Sequence, residues 1–293
     1  MITVPPALVR WRTGQSGDVG RRWLDGLPAR VAALCAAWDL VVEDTPPLAG
    51  ALALVVLVRR GEERLALRVR WPEPGQDAEV AALRAWDGRG AVRLVAVDPA
   101  GDALLLERLD PHRTLRDLPV ERAAVVTGRL LAELSVPAPP GLPTLAASAA
   151  AFVAGVAARD TALGGPVPAR ALARARELAA TLPTDAGLLV HGDLHGGNVL
   201  ADGAGGWRAV DPKPLVGDPA VALAEPLWTR ADDAPSAADL RRVLRLVADA
   251  AGLDPDQAAG WTVVRAVDHW LWGLEHGLTE DPVRCARLVD ALA

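Results

Sequence analysis

Hydrophobic positions recur in distinct rhythms along the chain. Between residues 18 and 39, Trp23, Leu27, Val31, Leu34 and Trp38 step by three and four, which predicts an amphipathic helix. The apolar run 51–58 is followed by Arg59-Arg60-Gly61-Glu62-Glu63, and then by Leu65, Leu67 and Val69 alternating with polar or small residues. Two such runs around a glycine turn predict a β-hairpin, whose second strand ends at Pro72, Pro74 and Gly75. Residues 76–86, with Glu79, Val80 and Leu83, predict a short helix. Residues 92–97 and 103–109 predict two more strands around the turn Pro99-Ala100-Gly101-Asp102. This part reads as a small antiparallel sheet with one helix packed on it.

The remainder is mainly helical. Residues 120–134 carry Val126, Leu130 and Leu134 at spacing four, and residues 146–156 and 169–182 are helical by composition. The pattern Ser236-Ala-Ala-Asp239 predicts a capping box opening a helix with Leu240, Val243, Leu244 and Val247 on one face. Residues 255–274 and 281–292 complete the helical set, while the proline-rich stretch 136–143 predicts a loop. One non-helical island, 188–219, interrupts them and holds two short strands near Val199-Leu200 and Trp207–Val210. The expected organisation is therefore α+β and bilobal. Residues 1–110 form a sheet lobe, 111–293 form a helical lobe, and a connection runs from Leu109 to Leu118. The longest apolar run, Leu48–Val58, falls short of the ~20 residues of a spanning helix. The start Met-Ile-Thr-Val-Pro-Pro lacks the basic and apolar regions of a signal peptide. With two cysteines, Cys35 and Cys285, read as reduced thiols, a cytoplasmic location is expected.

A formal charge of −6 opposes general nucleic-acid binding, which needs a basic face, and is compatible with a cationic substrate. Composition sharpens the search for chemistry. Among 31 basic residues only Lys213 is a lysine, and Asn198 is the one asparagine. Both fall inside the island, in His191-Gly192-Asp193-Leu194-His195-Gly196-Gly197-Asn198-Val199-Leu200 and Asp211-Pro212-Lys213-Pro214. If the two island strands form a hairpin, Asn198 and Asp211 meet at one end. An amide oxygen and a carboxylate suit Mg²⁺. Asp193, five residues before Asn198, can then accept a proton from a hydroxyl that attacks a terminal phosphate. Other readings of the same residues remain open. His191 and His195 can be zinc ligands, although that needs a third ligand and usually a helix, which the glycines around His195 oppose. Asp193 and His195 can belong to a hydrolase triad, but no G-x-S-x-G elbow accompanies them. Asp218, in Gly217-Asp218-Pro219, can simply cap the next helix.

The string H-G-D-L-H-x-x-N, followed by strand, turn, strand and D-P, resembles the catalytic and metal loops of the aminoglycoside phosphotransferase and choline-kinase superfamily. That superfamily has the protein-kinase-like fold. The stretch V-D-P-K-P-L-V-G-D-P-A at 210–220 and Leu227-Trp228-Thr229-Arg230 is similar to its streptomycin 6-phosphotransferase and hydroxyurea phosphotransferase branch. So are Arg70-Trp71-Pro72, residues 83–94 and residues 104–110, so the likeness runs from about Leu52 to at least Arg230. The resemblance implies ATP and Mg²⁺ as cofactors and Asp193 as catalytic base, with Asn198 and Asp211 as metal ligands. It implies that Glu79 steadies the strand cation touching ATP phosphates, and that the backbone of Glu107–Leu109 meets adenine. Lys213 is read as lying beside the metal loop near the phosphates. The chain departs from the branch in carrying Arg68 where the strand lysine is expected, and Ala222 where an Asp often stands. Arginine keeps the charge but offers a planar fork, so a retained but reduced activity is expected.

The expected reaction is phosphorylation of a hydroxyl on an aminoglycoside or aminocyclitol, streptomycin first. The alternatives are another small molecule such as hydroxyurea, or a descendant that only binds ligand. Candidate carboxylates for a cationic acceptor are Glu225, Asp232, Asp233, Asp268, Glu275, Glu280 and Asp281, with Trp270 and Trp272 as stacking surfaces for a guanidinium.

Overall fold

A computed structural model describes residues 2–50, 52–73 and 75–293. Ala51 of the apolar run and Pro74 after the second predicted strand lie outside the described residues. The chain divides into two compact units: Met1–Gly88 with Val92–Leu109, and Arg89–Ala91 with Asp110–Ala293.

The first unit opens with helix α1 (Pro6–Trp38), which starts twelve residues before the predicted one and breaks at Gly17, where φ is 51°. Strands β1 (Val41–Val42), β2 (Leu48–Ala49), β3 (Ala53–Arg60) and β4 (Glu63–Arg70) follow, then helix α2 (Gln76–Trp86), β5 (Leu94–Val97) and β6 (Ala103–Glu107). The predicted hairpin is β3–β4, in antiparallel register from Ala53↔Arg70 to Arg60↔Glu63. The sheet order is β1-β3-β4-β6-β5, with β2 also paired to β3. The two-residue strands β1 and β2 were not expected, because they are too short to leave a periodic signal. Leu65, Leu67 and Val69 share a buried core with Leu24, Leu27, Val31 and Leu34 of α1. The sheet thus has a second covering helix beside α2. By the period-two rule, Arg68 and Arg70 point to the opposite face of β4.

The second unit contains β7 (Asp110–Thr114), α3 (Val120–Leu134), α4 (Leu145–Ala162), α5 (Ala169–Thr181), β8 (Leu188–Val190), β9 (Val199–Ala201), β10 (Trp207–Ala209) and β11 (Leu215–Gly217). Helices α6 (Ala224–Trp228), α7 (Ala237–Ala251), α8 (Pro255–Glu275) and α9 (Glu280–Leu292) close it. The Ser236 box forms as read: the Ser236 side chain accepts from the Asp239 N–H, and the four predicted apolar residues of α7 are buried. The island holds four strands rather than two, in the sheets β10-β9-β7 and β11-β8. Part of the expected connection, 110–114, is itself a strand paired to β9. Among the described residues no helix is long and apolar enough to cross a membrane.

Candidate active site

The segment that carries Asp193 is built where β8 runs out against β11. After the pair Val190↔Leu215, the carbonyl of His191 accepts the N–H of Lys213 at 2.9 Å. Gly192 then turns with φ at 73°, and a Cβ there would stand 2.0 Å from the Lys213 carbonyl oxygen. Only glycine lets the two segments approach so closely. The approach sets Lys213 Nζ 2.9 Å from Asp193 Oδ2. Leu194, fully buried, anchors the next residue inward.

Past Leu194, the His195 side chain accepts the Gly197 N–H and opens a single 3-10 turn, Gly196–Asn198. Asn198 Nδ2 donates back to the Asp193 carbonyl at 2.9 Å, so its amide oxygen is the remaining acceptor. Strands β9 and β10 pair as Val199↔Ala209, and the Val210 N–H reaches the Asn198 carbonyl at 2.8 Å. This register brings Asp211 to the end of the hairpin occupied by Asn198. Asp211 adopts a left-handed conformation, φ 58°, that redirects the chain into Pro212 and Lys213. An amide oxygen and a carboxylate are hard donors of the kind Mg²⁺ takes alongside phosphate and water oxygens, so the residues present fit that ion. Among the described residues no group of three or more His, Cys, Asp or Glu side chains is placed to hold a metal, so the zinc alternative lacks its third ligand.

Electrostatics follow from burial and proximity. Burial pushes His191 down to about 4, against the pull of Asp193 and Asp211. The imidazole is neutral, and its Nδ1 accepts the Asp193 N–H. Burial likewise lowers His195. Lys213 loses some basicity to desolvation, but the charges of Asp193, Asp211 and Glu225 more than reverse that and leave its pKa raised. Asp218 accepts the Ala220 N–H and caps the short turn Pro219–Leu223, the bland role weighed for it.

The first unit holds the other predicted residues. Glu79 of α2 is buried and bridges two arginines of β4: its Oε1 pairs with Arg68 and its Oε2 lies 2.5 Å from Arg70. Arg70 was not anticipated. Its signal was its position two residues from Arg68, on the same face of the strand. The Glu107 carboxylate accepts the Arg93 N–H at 2.7 Å, so its side chain is turned toward β5, and Leu109 is buried.

The seven candidate carboxylates for a cationic acceptor all have intramolecular partners. Glu225 pairs with Arg265, Asp268 and Glu275 with Arg159, and Asp233 with Arg230. Asp232 and Glu280 pair with Arg284, and Asp281 with His269. Ala222 is buried among apolar residues; one helical turn on, Glu225 is the buried acid of this segment.

A family model described as aminoglycoside/hydroxyurea antibiotic resistance kinase matches residues 38–277. The streptomycin 6-kinase of Streptomyces griseus is 38% identical over all of this chain and 97% of its own length. The chain belongs to the aminoglycoside/hydroxyurea antibiotic resistance kinase family. As a member of this family it is a phosphotransferase acting on a hydroxyl group. The hydroxyurea phosphotransferase of Kitasatospora aureofaciens is also 38% identical, over all of this chain and 86% of its own. The fold agrees with a crystal structure of a thermostable mutant of aminoglycoside phosphotransferase APH(4)-Ia, solved with ADP and hygromycin B. The TM-score is 0.64 at 18% identity, with 89% of this chain and 98% of that one covered. The family match spans the H-G-D-L-H-x-x-N loop at 191–198.

Proposed function

We propose that this chain transfers the terminal phosphoryl group of ATP to the 6-hydroxyl of streptomycin and so inactivates the antibiotic. The observation that carries the reading is the convergence at Asp193. Its carboxylate meets Lys213 at 2.9 Å, its carbonyl holds the Asn198 amide, and the β9–β10 register brings Asp211 to the same end. Phosphoryl transfer needs little covalent help from the protein; positioning and charge neutralisation dominate.

In this reading Asp193 accepts the hydrogen bond of the acceptor hydroxyl and takes its proton as the new oxygen–phosphorus bond forms and the bond from the γ-phosphorus to the bridging oxygen breaks, releasing ADP. The Asn198 amide oxygen and the Asp211 carboxylate would hold magnesium, which when bound offsets charge on the phosphate oxygens. Lys213 adds an ammonium next to the base. Arg68, steadied by Glu79, meets the ATP phosphates, and the backbone of Glu107–Leu109 meets adenine. Nucleotide binding falls to residues 1–110, and the chemistry with the acceptor to 111–293. The free thiols of Cys35 and Cys285 support a reducing, cytoplasmic setting.

A second reading, hydroxyurea as acceptor, has its own support in the equal identity to the Kitasatospora enzyme. Side-by-side kcat/KM values for streptomycin and hydroxyurea, with ATP and magnesium, decide between them. The streptomycin reading expects the larger value for streptomycin, and a larger value for hydroxyurea contradicts it.

A further inference from the structure

The sheet of the first unit ends unevenly at β6. This strand pairs with β4 from Val69↔Ala103 to Leu65↔Glu107, and on its other side the Glu107 N–H still reaches the Arg93 carbonyl at 3.0 Å. There the ladder stops. Among the described residues Arg108 and Leu109 make no backbone hydrogen bond. A segment with idle backbone groups needs something else to hold it in place.

Side chains supply the hold. The Glu107 carboxylate accepts the Arg93 N–H at 2.7 Å and fastens the segment to the start of β5. Arg108 turns toward the β3–β4 hairpin. Its Nε and Nη2 donate to the Leu65 carbonyl at 3.1 and 2.7 Å, and Nη2 also donates to the Val58 carbonyl at 3.2 Å. Its Nη1 donates to Glu43 Oε2 at 3.0 Å. Val58 and Leu65 face each other across the hairpin, and both side chains are fully buried. One guanidinium thus ties the end of β6 to both strands of the hairpin and to the residue after β1. The Arg108 side chain is 11% exposed and that of Glu43 14%, so water competes little for these bonds. A planar fork with five donors can serve two carbonyls and a carboxylate at once; an ammonium at that position cannot.

We infer that Arg108 is a positioning residue for the nucleotide: anchored on Leu65, Val58 and Glu43, it holds the backbone of 108–109 off the ladder, with its N–H and carbonyl groups free for the edge of a purine base. The inference rests on the reading that this backbone meets adenine, and goes beyond it by naming what keeps the backbone available. Without the clamp the ladder is free to close another rung onto β4 and take those groups up.

The test uses the full chain as wild type, Arg108→Ala and Arg108→Lys. Calorimetry with magnesium and no acceptor gives Kd for ATP and for adenosine. Steady-state kinetics with streptomycin give kcat and both KM values, and melting temperatures check folding. Arg108→Ala is expected to weaken ATP and adenosine alike, by about tenfold. The kinetic change falls on the KM for ATP rather than on kcat or the KM for streptomycin. Arg108→Lys, which keeps part of the hydrogen bonding, lies between, and it carries the comparison if Arg108→Ala does not fold. An unchanged ATP Kd in the folded variants overturns the clamp and leaves the proposed reaction standing. So does a loss for ATP without one for adenosine, or a matched loss in ATP affinity, kcat and streptomycin KM. Arg108-dependent ATP binding with no phosphorylation of streptomycin by wild type supports the clamp and overturns the proposed reaction. A wild-type chain that binds no ATP overturns both.

Discussion

In the proposed reaction, Arg68 occupies the position at which the choice of side chain matters most for the nucleotide. Glu79 binds it through one carboxylate oxygen and keeps the other for Arg70 at 2.5 Å. The bridge therefore does not depend on the residue at 68 alone. A compact ammonium there would still find Glu79 and would act on phosphate as a point charge, where the guanidinium presents a rigid fork. Arg68→Lys is expected to raise kcat severalfold in a coupled ATPase assay with acceptor present. An equal or lower kcat would mean that the surrounding residues are adapted to arginine. His191 makes a different demand. Its folded pKa of about 4 lies below the ordinary value of about 6.5, so the unfolded chain takes up the proton first as pH falls. Its contribution to stability is complete above pH ~6.5, is lost progressively below that, and levels off near pH ~4. Between pH 7 and 5 the loss amounts to about 2 kcal/mol. Urea midpoints at those two pH values, without magnesium, should separate more in wild type than in His191→Gln; equal separations would contradict this assignment.

At the scale of elements, the site depends on two chain segments pressed together at Gly192. A Cβ at that position meets the Lys213 carbonyl at 2.0 Å, and φ is 73°. Gly192→Ala is expected to move Lys213 off Asp193 and to lower kcat by about a hundredfold, the scale of losing one aligned donor, while circular dichroism still reports a folded chain. Retained kcat would show that the Lys213–Asp193 pair is dispensable. The same segment shows what sequence makes legible. Asp193, Asn198 and Asp211 lie close along the chain, so a local hairpin suffices to bring them together, and spacing alone suggested it. Helices α2 and α3 match their predicted spans because periodic apolar residues end at clear signals. Strand β7, Asp-Pro-His-Arg-Thr, carries no apolar alternation and exists through its pairing with β9, about ninety residues on. The Glu225–Arg265 pair joins residues forty apart. The aromatic stack on α8 likewise needs Trp228 from α6. Long-range partners of this kind leave no periodic trace in one sequence. The first turns of α1 were missed for another reason: Gly17 breaks the helical rhythm on which the prediction relied.

For the whole molecule, the family sets the reaction class, and the proposed mechanism rests on the residues around Asp193. A net charge of −6 is compatible with drawing a polycationic acceptor toward the protein, an attraction that weakens with salt. The proposed mechanism converges on one carboxylate, Asp193, that accepts a proton from the acceptor. The most direct measurement is the mass spectrum of streptomycin after incubation with ATP and magnesium, using wild type and Asp193→Asn. The account predicts one added phosphate with wild type, and a rate lower by about a thousandfold or more with the variant, the range for a positioned general base. Phosphorylation at a similar rate by a folded Asp193→Asn chain would contradict it.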